Sequence, residues 1–321
     1  MKLKTIVWDG KPITKPGMYS QIPLALYHGQ EICDGPSISS SGLRQLNPQR
    51  GSPAHFYARW SGNPDRVEPE TEKKEFVLGR AVHHLLLGEP HFAKLFVQQP
   101  AEYPGQHGVL KPWSNNAHYC QRWNAEQAKL GRSILDPKQI GQIRAIAKSV
   151  GSHPFANDIL HGLIERSLFW KDRETGVWLK IRPDAIPTDS ADFADLKSTT
   201  SVVYSSLAKS INEFGYYQQA ALVREGCKIV LGMDMQTFTF VFVEKAPPFA
   251  VRDIRLEAED MDRGQRMNRA CIRTFAKCLK DKRWPAPGYG NEGNERVGLS
   301  GAAREAIDNI LRHEGLADGN D

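Results

Sequence analysis

The chain has 321 residues, 40% of them hydrophobic and 25% charged, with a formal charge of +5. That is enough for one large domain or two modest ones, and it permits nucleic acid as a partner without requiring it. Cys33, Cys120, Cys227, Cys271 and Cys278 are scattered and contain no CxxC pair, which argues against a disulfide scaffold or zinc knuckle and fits a reducing cytoplasm. No apolar h-region follows Met1 and no apolar run reaches 18 residues, so neither a signal peptide nor a membrane span is expected.

Residues 1–36 carry Pro12, Pro16, Pro23 and Pro36 with little periodicity, and predict an extended N-terminal arm. Ser37–Ser41 then opens a short helix, about Gly42–Leu46, that carries Arg44. Its serines suit an N-cap, and they equally suit a phosphate anchor with Arg44 one turn on. Residues 47–72 read as loop around the aromatic segment His55–Trp60. Lys73–Glu89 predicts a helix bearing His83 and His84, each of which could be an ordinary core or surface histidine. Residues 98–116 read as a Pro/Gly-rich loop holding Lys111 and Trp113. Helices are expected over 116–129 and 137–150, the second from the spacing of Ile140, Ile143, Ile146 and Val150.

The stretch Glu165–Lys197 predicts three short strands in an antiparallel meander: Ser167–Trp170, Val177–Asp184 and Asp192–Lys197. Residues two apart on a strand share a face, so Asp195 and Lys197 should line one site, and Asp184 could reach it from the neighbouring strand. Two acids and a lysine on one face can hold a divalent metal and position a water against a phosphodiester. Taken singly, Asp184 could be turn chemistry and Asp195–Lys197 a surface pair. Val203–Arg224 predicts one helix containing Gly215-Tyr216-Tyr217-Gln218-Gln219. Gln236–Lys245 and Arg252–Leu256 read as strands, Leu256–Lys282 as a long helix, and Ser300–Gly315 as a last helix capped by Ser300. The expected fold is α/β, a mixed central sheet flanked by helices. Residues 37–290 would form the main domain and residues 291–321 a C-terminal helix and tail.

Five pieces occur in order: Gly-x-x-x-His (Gly79, His83), a Glu before a strand (Glu165), Ile-Arg-Pro-Asp (Ile181 to Asp184), Asp-x-Lys (Asp195, Lys197) and Tyr-x-x-Gln (Tyr216, Gln219). This pattern resembles the PD-(D/E)XK nuclease superfamily in its RecB-like branch. Within that branch it is most similar to the RecE (exonuclease VIII) type of phage recombination exonuclease, relatives of lambda exonuclease. Gly35–Leu43 (GPSISSSGL), Gly79–Leu87 (GRAVHHLLL) and Trp284-Pro285-Ala286 add to the likeness. The resemblance implies the restriction-endonuclease-like core of that superfamily.

The resemblance also implies Mg²⁺ or Mn²⁺, as two ions, held by Asp184, Asp195 and the Leu196 carbonyl with His83. Lys197 would orient or deprotonate the attacking water, Glu165 would serve as an outer acid, and Gln219 or its neighbour Gln218 would support the site beside Tyr216. A deprotonated lysine or metal-bound hydroxide would favour alkaline pH. The implied activity is 5′–3′ digestion of linear double-stranded DNA, leaving a 3′ strand for a single-strand annealing partner. It would act in the cytoplasm as a homo-oligomeric ring, a tetramer ahead of a trimer. Ser39, Ser41, Arg44, Arg182, Tyr216 and Lys111 are the candidate DNA contacts, with Arg50 and Trp113 further candidates by charge and stacking. The alternatives are an endonucleolytic or helicase-associated RecB-like nuclease and a non-catalytic DNA-end adaptor.

Overall fold

The computed structural model describes residues 3–66, 74–88, 92–105, 108–164, 166–288 and 298–314, apart from the side chains of residues 74–76 and 157. Two compact units divide at Trp284. In the first, the chain runs β1 (Thr5–Val7), β2 (Gly17–Ser20), α1 (Leu24–His28), β3 (Ser37–Ser39), α2 (Ser40–Gln45), α3 (Pro53–Tyr57) and α4 (Lys74–Leu86). Next come α5 (Phe92–Leu95), β4 (Phe96–Gln98), β5 (Glu102–Pro104), β6 (Leu110–Pro112), α6 (His118–Lys129), β7 (Ser133–Leu135), α7 (Pro137–Ser152) and α8 (Pro154–Ile159). The strand-rich middle is β8 (Leu163–Ile164), β9 (Ser167–Lys171), β10 (Trp178–Ile181), β11 (Ala185–Ile186) and β12 (Asp192–Thr199). Then follow α9 (Tyr204–Glu213), α10 (Tyr216–Gly226), a π-helical turn at Cys227–Leu231, β13 (Thr237–Glu244), β14 (Val251–Arg255) and α11 (Ala258–Asp281). The second unit holds α12 (Gly301–His313), whose N-cap Ser300 accepts from the Ala303 amide as its sequence predicts.

Two sheets form the frame. A five-stranded sheet runs in the order β1-β2-β9-β10-β3, and a three-stranded sheet in the order β12-β13-β14. The expected antiparallel meander is therefore corrected. β9 and β10 do form an antiparallel hairpin, but β12 pairs parallel with β13. A parallel neighbour needs a long crossover, and α9 and α10 supply it. Residues 1–36, expected as an extended arm, supply β1 and β2, and β2 pairs with β9 through Met18 and Leu168. The 98–116 loop contains the β5–β6 hairpin.

Period-two alternation divides β12 and β13 between two cores. Phe193, Phe238, Phe240 and Phe242 join a core with Leu43, Leu179, Ile181, Ile272 and Phe275. Ala194, Leu196, Val241 and Val243 face the opposite core, with Val77, Ala81 and Val82 of α4 and Ile143, Ile146 and Val150 of α7. The capping box of Asp136 and Gln139 and the Pro at its start fix where α7 begins. Helix α11 closes the first core against α10. Gly264 lets it approach so closely that a Cβ there would lie 2.4 Å from the Tyr217 carbonyl oxygen. No helix among the described residues is long and apolar enough to cross a membrane.

The single helix expected over Val203–Arg224 is two helices, because Gly215 adopts φ 62°, ψ 37° and turns the chain between α9 and α10. A Cβ at Gly215 would meet Arg44 at 3.1 Å and Arg50 at 3.3 Å, so glycine serves both the left-handed turn and the packing of two arginines on it.

Candidate active site

Phe193, Asp195 and Lys197 share one face of β12, and Gln219 approaches it from the first turn of α10. The Asp195 carboxylate is 3% exposed as a residue. Its Oδ1 accepts from Gln219 Nε2 at 2.6 Å, and its Oδ2 pairs with Lys197 Nζ. Lys197 also lies over the Tyr216 ring, 5.0 Å from its centroid, and that ring rests on Phe240 and Phe242 of β13. The adjacent glutamines thus separate cleanly. Gln219 serves Asp195, whereas Gln218, wholly buried, bonds Asn47 and Asn268 and ties α10 to α11 and the loop after α2.

Asp184 sits in the short irregular link between β10 and β11. Its Oδ2 accepts from the Leu196 amide at 2.7 Å, and its Oδ1 lies 3.6 Å from His83 Nδ1 on α4. The link therefore brings the two acids together across strands that do not pair. Burial pushes the Asp184 carboxyl up to about 6, the neighbouring Asp195 adds to the rise, and His83, Lys197 and the Leu196 amide oppose it. Lys197 is held above its ordinary value. Burial works against its charge, but the Asp195 and Asp184 carboxylates outweigh burial. In this arrangement the two carboxylates favour the charged form of the lysine.

Two crowded buried acids with one raised carboxyl form a donor set that a divalent cation would relieve. Asp184 Oδ1, the Asp195 carboxylate and His83 are the side chains that could hold it. Among the described residues no group of three or more His, Cys, Asp or Glu is placed to hold a metal ion, so in this arrangement the two carboxylates are the core of the donor set. Leu196 contributes its amide to Asp184 while its side chain is buried in the α4–α7 core. Glu165 lies outside the described residues.

The other candidates divide by place. Arg44 donates from Nη1 to the Phe214 carbonyl at 2.8 Å and lies over Tyr216, so it borders the acids. Ser39 and Ser41 hydroxyls lie 2.9 Å apart, and the Ser39 side chain makes no cap bond to α2. They line a cavity of about 170 Å³ with His28, Arg59, Arg66 and Lys180. Lys180 pairs with Ser39 across β10 and β3, is 2% exposed, and donates to the Gly29 carbonyl at 2.8 Å. Burial pushes its amine down to about 8. Sequence reading missed Lys180, because a lysine inside the apolar run Trp178–Ile181 reads as the outward residue of a strand. Arg182, expected near the acids, turns the other way: Nε donates to Ser167 and Nη2 to the Ile22 carbonyl, with its guanidinium over Tyr27. Lys111 is exposed on β6.

The family model described as a PDDEXK-like domain of unknown function (DUF3799) matches residues 39–291. No curated relative matches the sequence. Among solved structures, a protein from Eubacterium rectale described as a candidate exonuclease superposes with a TM-score of 0.57 at 12% identity. The match covers 89% of this chain and 98% of that one. At that identity the likeness concerns the fold. The structure of SSO0001 matches 64% of this chain and 88% of its own at 14% identity with a TM-score of 0.28, too low to bear on the fold.

Proposed function

Because this chain belongs to the PDDEXK-like domain family DUF3799, and with it to the PD-(D/E)XK nuclease superfamily, we propose that it is a divalent-metal-dependent DNA exonuclease of the RecE type. The observation that carries the reading is the meeting of Asp184, Asp195 and Lys197 in one buried cluster, oriented by Gln219 and His83. PD-(D/E)XK nucleases generally use divalent metals, and the donor set suits Mg²⁺ or Mn²⁺, as one ion or two. When bound, the metal would supply charge neutralisation at the phosphate and activation of the attacking water.

The remaining work falls to the chain. Asp184 and Asp195 would hold the cation, with His83 and the Leu196 carbonyl as further ligands. Lys197, cationic and fixed over Tyr216, hydrogen-bonds the attacking water and faces the negative charge that develops on the phosphorus oxygens. Gln219 donates to one Asp195 oxygen and leaves the other to the lysine, where it would also be open to the cation.

The proposed substrate is the end of linear double-stranded DNA, digested 5′ to 3′ to leave a 3′ overhang. The cavity lined by Ser39, Ser41, Arg59 and Lys180 has the hydroxyls and charge to receive a terminal 5′-phosphate. A homo-oligomeric ring, a tetramer ahead of a trimer, would keep the enzyme on its track, and a single-strand annealing protein would take the overhang in the cytoplasm. The test is digestion of linear and covalently closed circular duplex, labelled at the 5′ or the 3′ end, with Mg²⁺. Loss of the linear form with early release of the 5′ label is expected, together with at least a hundredfold loss of rate in Asp195→Ala. Cutting of closed circles would select an endonuclease, and binding without cutting would select an end adaptor.

A further inference from the structure

The turn between α9 and α10 carries a feature that the acid–lysine cluster does not use. Phe214 closes α9 and is 54% exposed as a residue. Its neighbour in space is Tyr216, ring centroids 5.6 Å apart and planes inclined by 31°. Tyr216 in turn lies under Lys197 and against Phe240. The exposed ring is therefore one aromatic step from the residue that borders the reacting atoms.

The backbone beneath Phe214 is fixed from the other side. Arg44 donates to the Phe214 carbonyl and Arg50 Nη1 donates to the Glu213 carbonyl. Neither guanidinium has a carboxylate partner among the described residues, and the buried Nε of Arg50 has no hydrogen-bond partner there. Carbonyl oxygens fix the two cations but do not neutralise them. Burial works against the Arg44 charge, which Tyr216 and Asp195 favour and Arg50 opposes.

An exposed ring beside two guanidiniums that carbonyl oxygens hold without a direct carboxylate pair asks for a ligand that is both flat and anionic. An apolar protein surface would cover the ring but strand the cations. A nucleotide satisfies both, with its base on the ring and its phosphate on the arginines.

We propose that Glu213–Gly215 is a nucleotide subsite, in which Phe214 stacks on a nucleobase of the strand entering the acid–lysine cluster and Arg44 and Arg50 take the adjoining phosphate. The subsite rests on the nuclease reading for the identity of its ligand. It sets the register of the strand: a base held on Phe214 fixes which phosphate reaches Lys197.

The experiment uses the full chain and oligonucleotides carrying 2-aminopurine at successive positions from the 5′ end, without divalent cation so that no cleavage is required. Stacking on Phe214 quenches the fluorescence at one position. Phe214→Ala is expected to abolish that quench and weaken binding by roughly 5- to 100-fold, Phe214→Trp to retain both, and Phe214→Leu to rescue neither. Unchanged quench and affinity in Phe214→Ala overturn the proposal. So does a change in assembly mass in that variant with the quench intact, which would assign the ring to a contact between copies. A protein that quenches but never cuts linear DNA in Mg²⁺ overturns the nuclease reading and leaves the subsite standing. Failure of the wild type to bind or quench overturns the subsite, and cutting of linear DNA in Mg²⁺ decides the nuclease reading separately.

Discussion

Lys197 and Lys180 are both buried lysines, and their surroundings drive them in opposite directions. Two carboxylates hold Lys197 charged, whereas Lys180 has a carbonyl oxygen and the Tyr27 ring, and burial brings it down to about 8. The sign of a pH effect on end binding follows. A terminal phosphate favours the cationic form of Lys180, which predominates below its lowered value and is lost as pH rises through it. Affinity for a 5′-phosphorylated end, relative to a 5′-hydroxyl end, should therefore fall by up to about tenfold between about pH 7 and about pH 9. Fluorescence anisotropy with the two ends measures it, and Lys180→Met should flatten the difference. Asp-x-Lys was legible in the sequence because a strand repeats every two residues. The pocket lysine was not, because its partners come from α1, β3 and the loop after α3, and no local pattern announces their meeting.

At the scale of elements, the break at Gly215 matters most. Its φ of 62° belongs to the left-handed region, which costs a residue with a Cβ about 1–2 kcal/mol. The contacts with Arg44 and Arg50 add to that. Gly215→Ala is expected to lower the melting temperature by several degrees, and to slow cleavage more than it lowers stability, since the turn aims both Tyr216 and Gln219. Thermal denaturation and initial rates on linear DNA separate the two effects. The apolar stripe of Leu207, Ile211 and Leu222 runs through the break, so helical periodicity alone joined α9 and α10. The pairing of β12 with β13 was hidden for a related reason. Its partner lies beyond two helices, and alternation reveals which face of a strand is buried but not its neighbour. The long charged α11 and the start of α12 at Ser300, by contrast, were readable from charge pattern and from that one cap.

At the scale of the whole molecule, the first unit ends on Trp284, whose ring stacks on Tyr57 with centroids 4.8 Å apart and also packs near Phe275. The aromatic segment His55–Trp60 and Trp284 are thus two halves of one closure. A chain ending after residue 287 should keep its fold and its cleavage of linear DNA, because the acid–lysine cluster and the aromatic closure both lie before the cut. If α12 docks the annealing protein, the same truncation should lose co-purification with it. A truncated protein that no longer digests DNA would show instead that the second unit takes part in the reaction.

The hydrogen bond from the Leu196 amide to Asp184 also bears on stability. β12 is an outer strand of its sheet, yet Phe193–Leu196 are buried, so an amide left unpaired on that edge has no water to turn to. Asp184 occupies the Leu196 amide at 2.7 Å, so a residue chosen for chemistry also closes the edge of the strand. An inactive protein made by Asp184→Ala strands that amide as well as losing the reaction, at a cost of about 1–3 kcal/mol. One made by Asp195→Ala leaves the amide paired, and is the cleaner inactive form in which to study DNA held but not cut.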